Sequence, residues 1–260
     1  MTMNKLLLVL TLALIGTAAL PLFAQSVESE NILEEIDAQV SYLEQDFSAE
    51  YTVMQEKPGQ GRSITRAAVF RRDREDKFVI LILEPAVDKG KGYLKIGDTL
   101  WIYDPVSRRF NVTSAKNRFQ NSNARNSDFT SSTLARDYRI IGQSTERLGV
   151  YDTRVYELES LHDAVTFPFM KIWVDENKLV RKFEDYSLSR QLLRTVAIPS
   201  YQRVGERFVP VHIVMVDALQ GRTVDGVFRN ERTIIQVAKP TLGQLPDLMF
   251  TQAYLERASR

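Results

Sequence analysis

The six residues Phe78-Val79-Ile80-Leu81-Ile82-Leu83 contain no polar side chain. A strand with one wet face alternates apolar and polar residues, so this run needs cover on both faces. Other segments repeat the feature. Leu100-Trp101-Ile102-Tyr103 and Val211-His-Ile-Val-Met-Val216 are nearly apolar on both sides. Phe169-Met-Lys-Ile-Trp-Val174 sets Met170, Ile172 and Val174 against Phe169, Lys171 and Trp173. Two coverings are therefore expected for the central strands. One is the inside of a curled sheet plugged by helices; the other is a second layer, a partner or a ligand. A thick core and a lined cavity for an apolar guest both satisfy the pattern, and periodicity leaves the choice open.

On either side of this run, segments of period two predict strands. The first set is Ser48–Gln55, Ser63–Arg71, Lys77–Glu84, Tyr93–Ile96 and Thr99–Tyr103. The second is Tyr151–Glu159, Phe169–Val174, Leu179–Tyr186, Leu192–Ile198, Phe208–Asp217 and Arg232–Ala238. Turn residues separate them at Lys57-Pro-Gly-Gln-Gly61, Arg72-Asp-Arg-Glu-Asp76, Asp88-Lys-Gly-Lys-Gly92 and Asp175-Glu-Asn-Lys178, with Gly97-Asp98 as a two-residue hairpin link. Ahead of the strands, Ile32, Leu33, Ile36, Val40 and Leu43 recur at three- and four-residue steps, which predicts an amphipathic helix over Glu28–Asp46. Between the two sets, the polar, Asn-rich stretch Ser114–Arg139 has only Phe119 and Phe129 as apolar anchors before a helical pattern at Ser132–Tyr138. An excursion of that length between strands is usually disordered or functional. Pro240–Ala258 closes the chain, with Pro246 suited to an early helical position. The expectation is an α+β fold, mostly antiparallel β: one domain over residues 25–260 with ten or more strands, helices at both ends and one in the middle.

The chain has 260 residues, 34 Lys plus Arg, 33 Asp plus Glu, two His and no Cys. Lys5 is the only charge before Glu28, so the remainder is electrically balanced. A balanced chain offers no basic stripe for nucleic acid. Without Cys there are no disulfides, thiolate nucleophiles, zinc–thiolate sites or iron–sulfur clusters, and two His make a multi-histidine metal site an unsuitable expectation. Met1–Lys5 is followed by the apolar run Leu6–Ile15, small residues and Pro21-Leu-Phe-Ala24 before Gln25. That order describes a secretory signal over residues 1–24, with Ala19 as an alternative cut. A retained anchor is the other reading, although the run falls short of the ~20 residues of a span. No Cys follows it, so the protein is not expected to be a lipoprotein itself. A periplasmic protein is the expectation. No G-x-S-x-G, H-E-x-x-H, Walker or G-x-G-x-x-G motif is present. His162 sits in a polar link, His212 in a strand pattern, and Asp73, Glu75 and Asp76 alternate with Arg71, Arg72 and Arg74 as a solvated turn. Neither a catalytic site nor a cofactor or metal is expected.

Three segments carry a resemblance. Asp88–Arg109, with Gly92, Trp101, Tyr103, Pro105, Arg108 and Arg109, resembles the Gly-turn, Trp-x-Tyr-x-Pro-x-x-Arg-Arg pattern of the LolA-like outer-membrane lipoprotein-sorting proteins. Asn126-Ser-Asp-Phe-Thr130 is similar to that family's Gly-Ser-Asp-Phe-Ser, and Leu245-Pro-Asp-Leu-Met-Phe250 to its closing Pro-Asp-x-x-Phe. The resemblance implies an unclosed half β-barrel whose helices cap the concave face. It also implies that the interior holds the acyl chains of a lipoprotein or lipid, with inner- and outer-membrane sorting partners and no covalent step. The lining residues expected on this basis are Phe70, Ile80, Ile82, Leu94, Trp101, Tyr103, Phe129, Met170, Ile172 and Trp173, with Phe119–Phe129 as a lid; plain core is the alternative for each, and outward packing anchors the alternative for Trp101 and Tyr103. The family's cavity arginine has Arg66 and Arg108 as candidates. The alternative function is a regulatory or scaffold protein of the envelope that uses the same half-barrel to bind a protein partner.

Overall fold

The computed structural model describes residues 32–259, and every strand in them joins one sheet. In chain order the first half comprises β1 (Asp46–Lys57), β2 (Gly61–Arg72), β3 (Lys77–Glu84), β4 (Gly92–Ile96), β5 (Thr99–Asp104) and β6 (Arg109–Thr113). The second half comprises β7 (Tyr138–Leu148), β8 (Tyr151–Ser160), β9 (Phe169–Val174), β10 (Val180–Tyr186), β11 (Leu192–Val204), β12 (Arg207–Val224) and β13 (Val227–Gly243). The spatial order is β6-β5-β4-β3-β2-β1-β13-β12-β11-β10-β9-β8-β7. All neighbours are antiparallel, and the end strands β6 and β7 do not pair with each other. The expected unclosed barrel is the fold.

This order dictates where the excursion must go. The chain leaves β6 at one free edge and enters β7 at the other, so residues 114–137 have to cross the width of the sheet. Thirteen strands laid flat would span roughly 58 Å at ~4.8 Å per strand. The crossing segment contains turns, a 3-10 turn at Asn126–Phe129 and the short helix α2 (Leu134–Asp137), so it bridges the edges only because the sheet curls. A first helix, α1 (residues 32–40), lies beside α2 on the same concave face, against Tyr156, Leu158 and Ile172.

The apolar run in β3 is covered on both sides by the chain itself. Phe78, Ile80 and Ile82 face the concave core, while Val79 and Leu81 pack against Phe250 and Leu255 of the closing segment on the other face. That segment comprises a 3-10 turn at Asp247–Phe250 and α3 (Gln252–Ala258). Its approach explains Gly92. A Cβ built at Gly92 would stand 2.6 Å from a Leu255 methyl and 3.2 Å from its Cγ, and Leu255 is fully buried. Overpacking of this kind typically costs 1–3 kcal/mol. Gly92→Ala is therefore expected to destabilise the protein by about 1–3 kcal/mol in denaturant titration. An unchanged midpoint would mean that α3 is not seated on β4.

Several local expectations are corrected. The first helix ends at Val40 rather than Asp46, because Tyr42 turns into the core, where its hydroxyl donates to the Phe208 carbonyl and its N–H to Asp73; Leu43 is left exposed. Only Leu134–Asp137 is helical in the stretch 132–138, since Tyr138 already begins β7. Strands β6 and β7 were not expected; they are edge strands with little buried surface and hence weak alternation. β12 and β13 run well beyond their expected ends, to an Asp225-Gly226 turn with both φ angles positive. The signal segment 1–24 and helix residues 28–31 lie outside the described residues. No helix among the described residues is long and apolar enough to cross a membrane.

Candidate functional site

The concave wall is built from alternate residues of neighbouring strands. Tyr51 and Val53 of β1, Ala67 and Val69 of β2, Ile80 and Ile82 of β3, Val196 of β11, Met215 of β12 and Ile235 of β13 form one buried apolar cluster. Elsewhere on this face α1 and α2 cover the wall with regular helices. Over this cluster the cover is residues 114–131, which have almost no regular structure.

Two phenylalanines make the apolar part of that cover. Phe119 lies between Tyr93 and Phe129, with ring centroids 5.0 and 4.5 Å away, and Phe129 reaches Tyr51 at 5.9 Å. Burial pushes the Tyr51 and Tyr93 hydroxyls up to about 12, so both stay neutral. Gln120 carries φ 50°, closing the tight turn between Phe119 and Ala124, and its amide donates to the Tyr93 hydroxyl at 3.1 Å.

The remaining holds are polar. The Asn123 N–H donates to Thr233 Oγ1 at 2.8 Å, and Arg118 donates to Asp217 at 2.6 Å and to Asn123 at 2.7 Å. Arg194 of β11 is the centre of the joint. It donates to both oxygens of Asp128 at 2.7 Å and to Asp185 of β10 at 2.5 Å. Burial opposes its charge, but the two carboxylates hold the proton on more firmly than usual. Burial likewise pushes the Asp185 carboxyl up to about 6, against the pull of Arg194. Arg125 is lowered, first by burial and then by the nearby Arg118 and Arg194. Among the described residues, four buried polar side-chain atoms find no protein partner: Asn123 Nδ2, Arg125 Nε, Asn126 Oδ1 and Asp185 Oδ1. All four lie at this seam. An unmatched buried polar atom is unfavourable by ~1–3 kcal/mol, so the seam is held less well than the apolar contacts beside it.

The space under the cover is filled; Phe119 and Ala124 are completely buried. Two open hollows, of about 640 and 550 Å³, lie at the end of the sheet that carries the β7–β8, β9–β10 and β11–β12 turns. Charged residues, including Glu146, Arg154, Glu176 and Lys178 in one and Glu44, Glu206 and Arg207 in the other, line them. Over the apolar wall lies a fitted cover.

The ten expected lining residues are distributed over both faces. Ile80 and Ile82 belong to the wall and Phe129 to its cover, while Met170 and Ile172 lie on the same face under the helices. Phe70, Leu94, Trp101 and Tyr103 are on the opposite face with the closing segment, and Phe70 meets the Tyr254 ring edge-on at 6.4 Å. Trp173 points away from Ile172, donating its indole N–H to Glu146 at 3.0 Å beneath the Lys182 ammonium. Arg66 is exposed beside Glu84 and Arg108 is exposed in a turn; Arg194 is the arginine that meets the cover. Sequence reasoning missed it because Arg194 interrupts an apolar strand, which reads as a solvated position until the carboxylates on neighbouring elements are placed.

A family model described as "Uncharacterized protein" matches residues 74–257. No curated protein matches the chain. Among solved structures, a LolA superfamily protein from Nitrosomonas europaea is 25% identical, with TM-score 0.73 over 87% of this chain and 98% of its own. An outer membrane lipoprotein-sorting protein domain from Vibrio parahaemolyticus is 17% identical, with TM-score 0.75 over 89% and 100% of the two chains. A DUF1329 family protein from Desulfovibrio piger is 15% identical, with TM-score 0.76 over 88% and 98%. The chain therefore belongs to the family that this model describes, and its open antiparallel sheet with a covered concave face has the fold of the LolA superfamily structure it resembles.

Proposed function

We propose that the protein is a non-catalytic periplasmic carrier of lipoprotein or lipid acyl chains, in which residues 114–131 act as a plug that the guest displaces from the concave wall. The observation that carries this reading is the nature of the plug: two phenylalanines over an apolar wall, with polar bonds for the rest. Burying a Phe side chain is worth ~1.5–3 kcal/mol, so the pair contributes at most about 6 kcal/mol. An acyl chain of about 14 methylenes gains ~11 kcal/mol on leaving water at ~0.8 kcal/mol per CH₂. The guest therefore outbids the rings, and the surplus is available to break the seam. Ile80, Ile82, Met170 and Ile172 would be wall, and Phe129 the ring that moves; the residues on the other face would remain structural. Sorting partners at the inner and outer membranes, and export by residues 1–24, belong to the same reading, which the lipoprotein-sorting domain from Vibrio parahaemolyticus supports.

Native mass spectrometry of the exported protein, recovered without detergent, is expected to give bound acyl mass. Phe119→Ala, with the far-UV spectrum retained, is expected to bind a fluorescent fatty acid at least about tenfold more tightly, since less plug has to leave. Absence of acyl mass together with no uptake of the fatty acid sinks the carrier. The filled interior favours the second reading, a scaffold that keeps its plug closed. A membrane protein recovered from the envelope with equal yield before and after delipidation would support that reading instead.

A further inference from the structure

Antiparallel connectivity sorts the turns onto two rims. One rim carries the β1–β2, β3–β4, β5–β6, β8–β9, β10–β11 and β12–β13 turns; the other carries the remaining turns. Exposed large apolar side chains concentrate on the first. Val87 is 83% exposed in the β3–β4 turn, Val106 91% in β5–β6 and Leu188 80% in β10–β11. Leu161 in β8–β9 and Val227 and Phe228 in β12–β13 are also exposed, so five of the six turns are tipped this way. The opposite rim has fewer at its turns: Val150 in β7–β8 and, at strand ends and in the flanking segments, Ile96, Leu43 and Leu248.

Charge follows the same division. Lys57, Arg62, Arg108, Arg190, Arg222 and Arg229 stand at or near the turns of the first rim, and among the described residues none has a carboxylate within salt-bridge distance. Several of its acids are occupied: Glu84 pairs with Arg66, Asp88 with Lys91, and Asp104 accepts from the N–H groups of Val106 and Ser107 within its own turn, while Asp225 and Asp163 are outnumbered by the six unpaired bases. Bases on the opposite rim are mostly paired, as in Arg71–Asp73, Arg72–Asp46, Lys77–Glu75, Lys95–Asp76 and Arg181–Asp175.

The β12–β13 hairpin makes the first rim project. β13 pairs with β1 as far as Arg232, and Phe228 lies four residues further on, roughly 13 Å at ~3.3 Å per residue. Its Asp225-Gly226 turn is tight, with φ 52° and 77°. Phe228 is 58% exposed but not loose. Its ring lies over Gly221, where an added Cβ would come within 2.7 Å of Phe228 Cζ. Arg222 and Arg229 face each other across this hairpin, a like-charge pairing that is unfavourable unless an anion sits against it.

We propose that this rim docks the protein onto an anionic phospholipid surface. Apolar tips enter the headgroup layer, and unpaired Arg and Lys side chains take up lipid phosphates. The row of apolar tips alone would suit a protein partner equally; the surplus of unpaired base selects the lipid. The plug's seam is near the same rim, since Asn123 bonds Thr233, which pairs with Gln55 two residues before the end of β1. The docking does not depend on acyl carriage, because it uses the outside of the turns.

The test is co-sedimentation of the full exported chain with intact vesicles of phosphatidylcholine alone and of phosphatidylcholine with one third phosphatidylglycerol. Binding is expected with phosphatidylglycerol, weakening as salt is raised. Each base removed should weaken it about fivefold, the equivalent of ~1 kcal/mol per basic residue at an anionic surface, so Arg190→Gln with Arg222→Gln loses roughly 25-fold. Phe228→Ser should also weaken it, and Val150→Ser, on the opposite rim, should not. Thermal midpoints of Arg222→Gln alone and of Val150→Ser are expected to stay at the parent value, so that their effects on binding are read free of any change in stability. No co-sedimentation at low salt, or binding that rim variants leave unchanged, overturns the proposal. So does capture of an envelope protein through the rim without vesicle binding. Fatty-acid uptake without vesicle binding would leave the carrier standing and remove the docking rim.

Discussion

Arg194→Met is expected to lower stability at neutral pH by about 3–5 kcal/mol, the range for removing one partner of a buried ion pair. The Arg194 side chain is 6% exposed, and that of Asp185 is fully buried. The substitution fits the space, with Met215 and Phe167 already beside the guanidinium. It leaves Asp185 with no cation and Asp128 without its bidentate donor. An exposed pair would lose at most ~1 kcal/mol, so the magnitude distinguishes a buried seam from a wet one. The loss is also pH-dependent. Burial raises Asp185 to about 6 even with Arg194 present, and without it the carboxyl must rise further. A carboxyl raised above its unfolded value makes stability grow as pH falls toward the unfolded pKa near 4. The variant gains more from this than the parent, so the difference should narrow between pH 7 and pH 5. Urea titrations at the two values check it; a loss below 1 kcal/mol at pH 7 would mean that water reaches the seam.

The sheet was legible in the sequence and its edges were not. Run after run of period two placed the buried middle of each core strand, because alternation there is enforced by a core on one side, but β11, β12 and β13 overrun their expected ends by five to seven residues. β6 and β7 have no such enforcement: most of their residues are exposed, and Arg139–Leu148 reads as a polar stretch. Asp225-Gly226 is a strong hairpin signal that was available at the tip of β12–β13, but the flanking strand ends lie outside the core and lack a buried face to mark them. The doubly apolar Phe78–Leu83 correctly demanded two layers. It could not say that the second layer was the chain's own Leu245–Leu255, since that contact joins residues more than 150 positions apart. The same limit spread the candidate lining over both faces. Phe70, Leu94, Trp101 and Tyr103 are apolar for the sake of α3, and nothing in a strand's own residues says which of two apolar phases looks inward. Asn123, Asp128 and Arg194 form a site only once β10, β11 and the crossing segment meet, so their polarity read as loop and surface.

The closing layer has its own buried ion cluster, and Arg72→Met should be as damaging as the loss of Arg194, again about 3–5 kcal/mol. Arg72 donates to both oxygens of Asp46 at 3.0 Å and to the Leu245 carbonyl at 2.7 Å, and its guanidinium lies 4.6 Å from the centre of the Phe250 ring. Asp46 is fully buried. Burial alone would raise its carboxyl, but hydrogen bonds from Arg72, the Leu245 N–H and Arg74 hold it below the usual range. This is the opposite sign to Asp185: the stabilisation from Asp46 is complete above the unfolded pKa near 4 and is lost as pH falls through its lower folded value. Without Arg72, the anchor of the 245–258 segment goes, and Val79, Leu81 and Leu94 lose their cover. Hydrogen exchange should then quicken in β3 and β4 ahead of β11 and β12. The fourth contact supplies the control. Asp247 meets Arg72 at 2.5 Å, but its side chain is 94% exposed, so the pair is screened by water and Asp247→Asn should lose less than about 1 kcal/mol. Equal losses from Arg72→Met and Asp247→Asn would show that the cluster acts as a surface pair and that α3 is held by Leu255 and Phe250 alone.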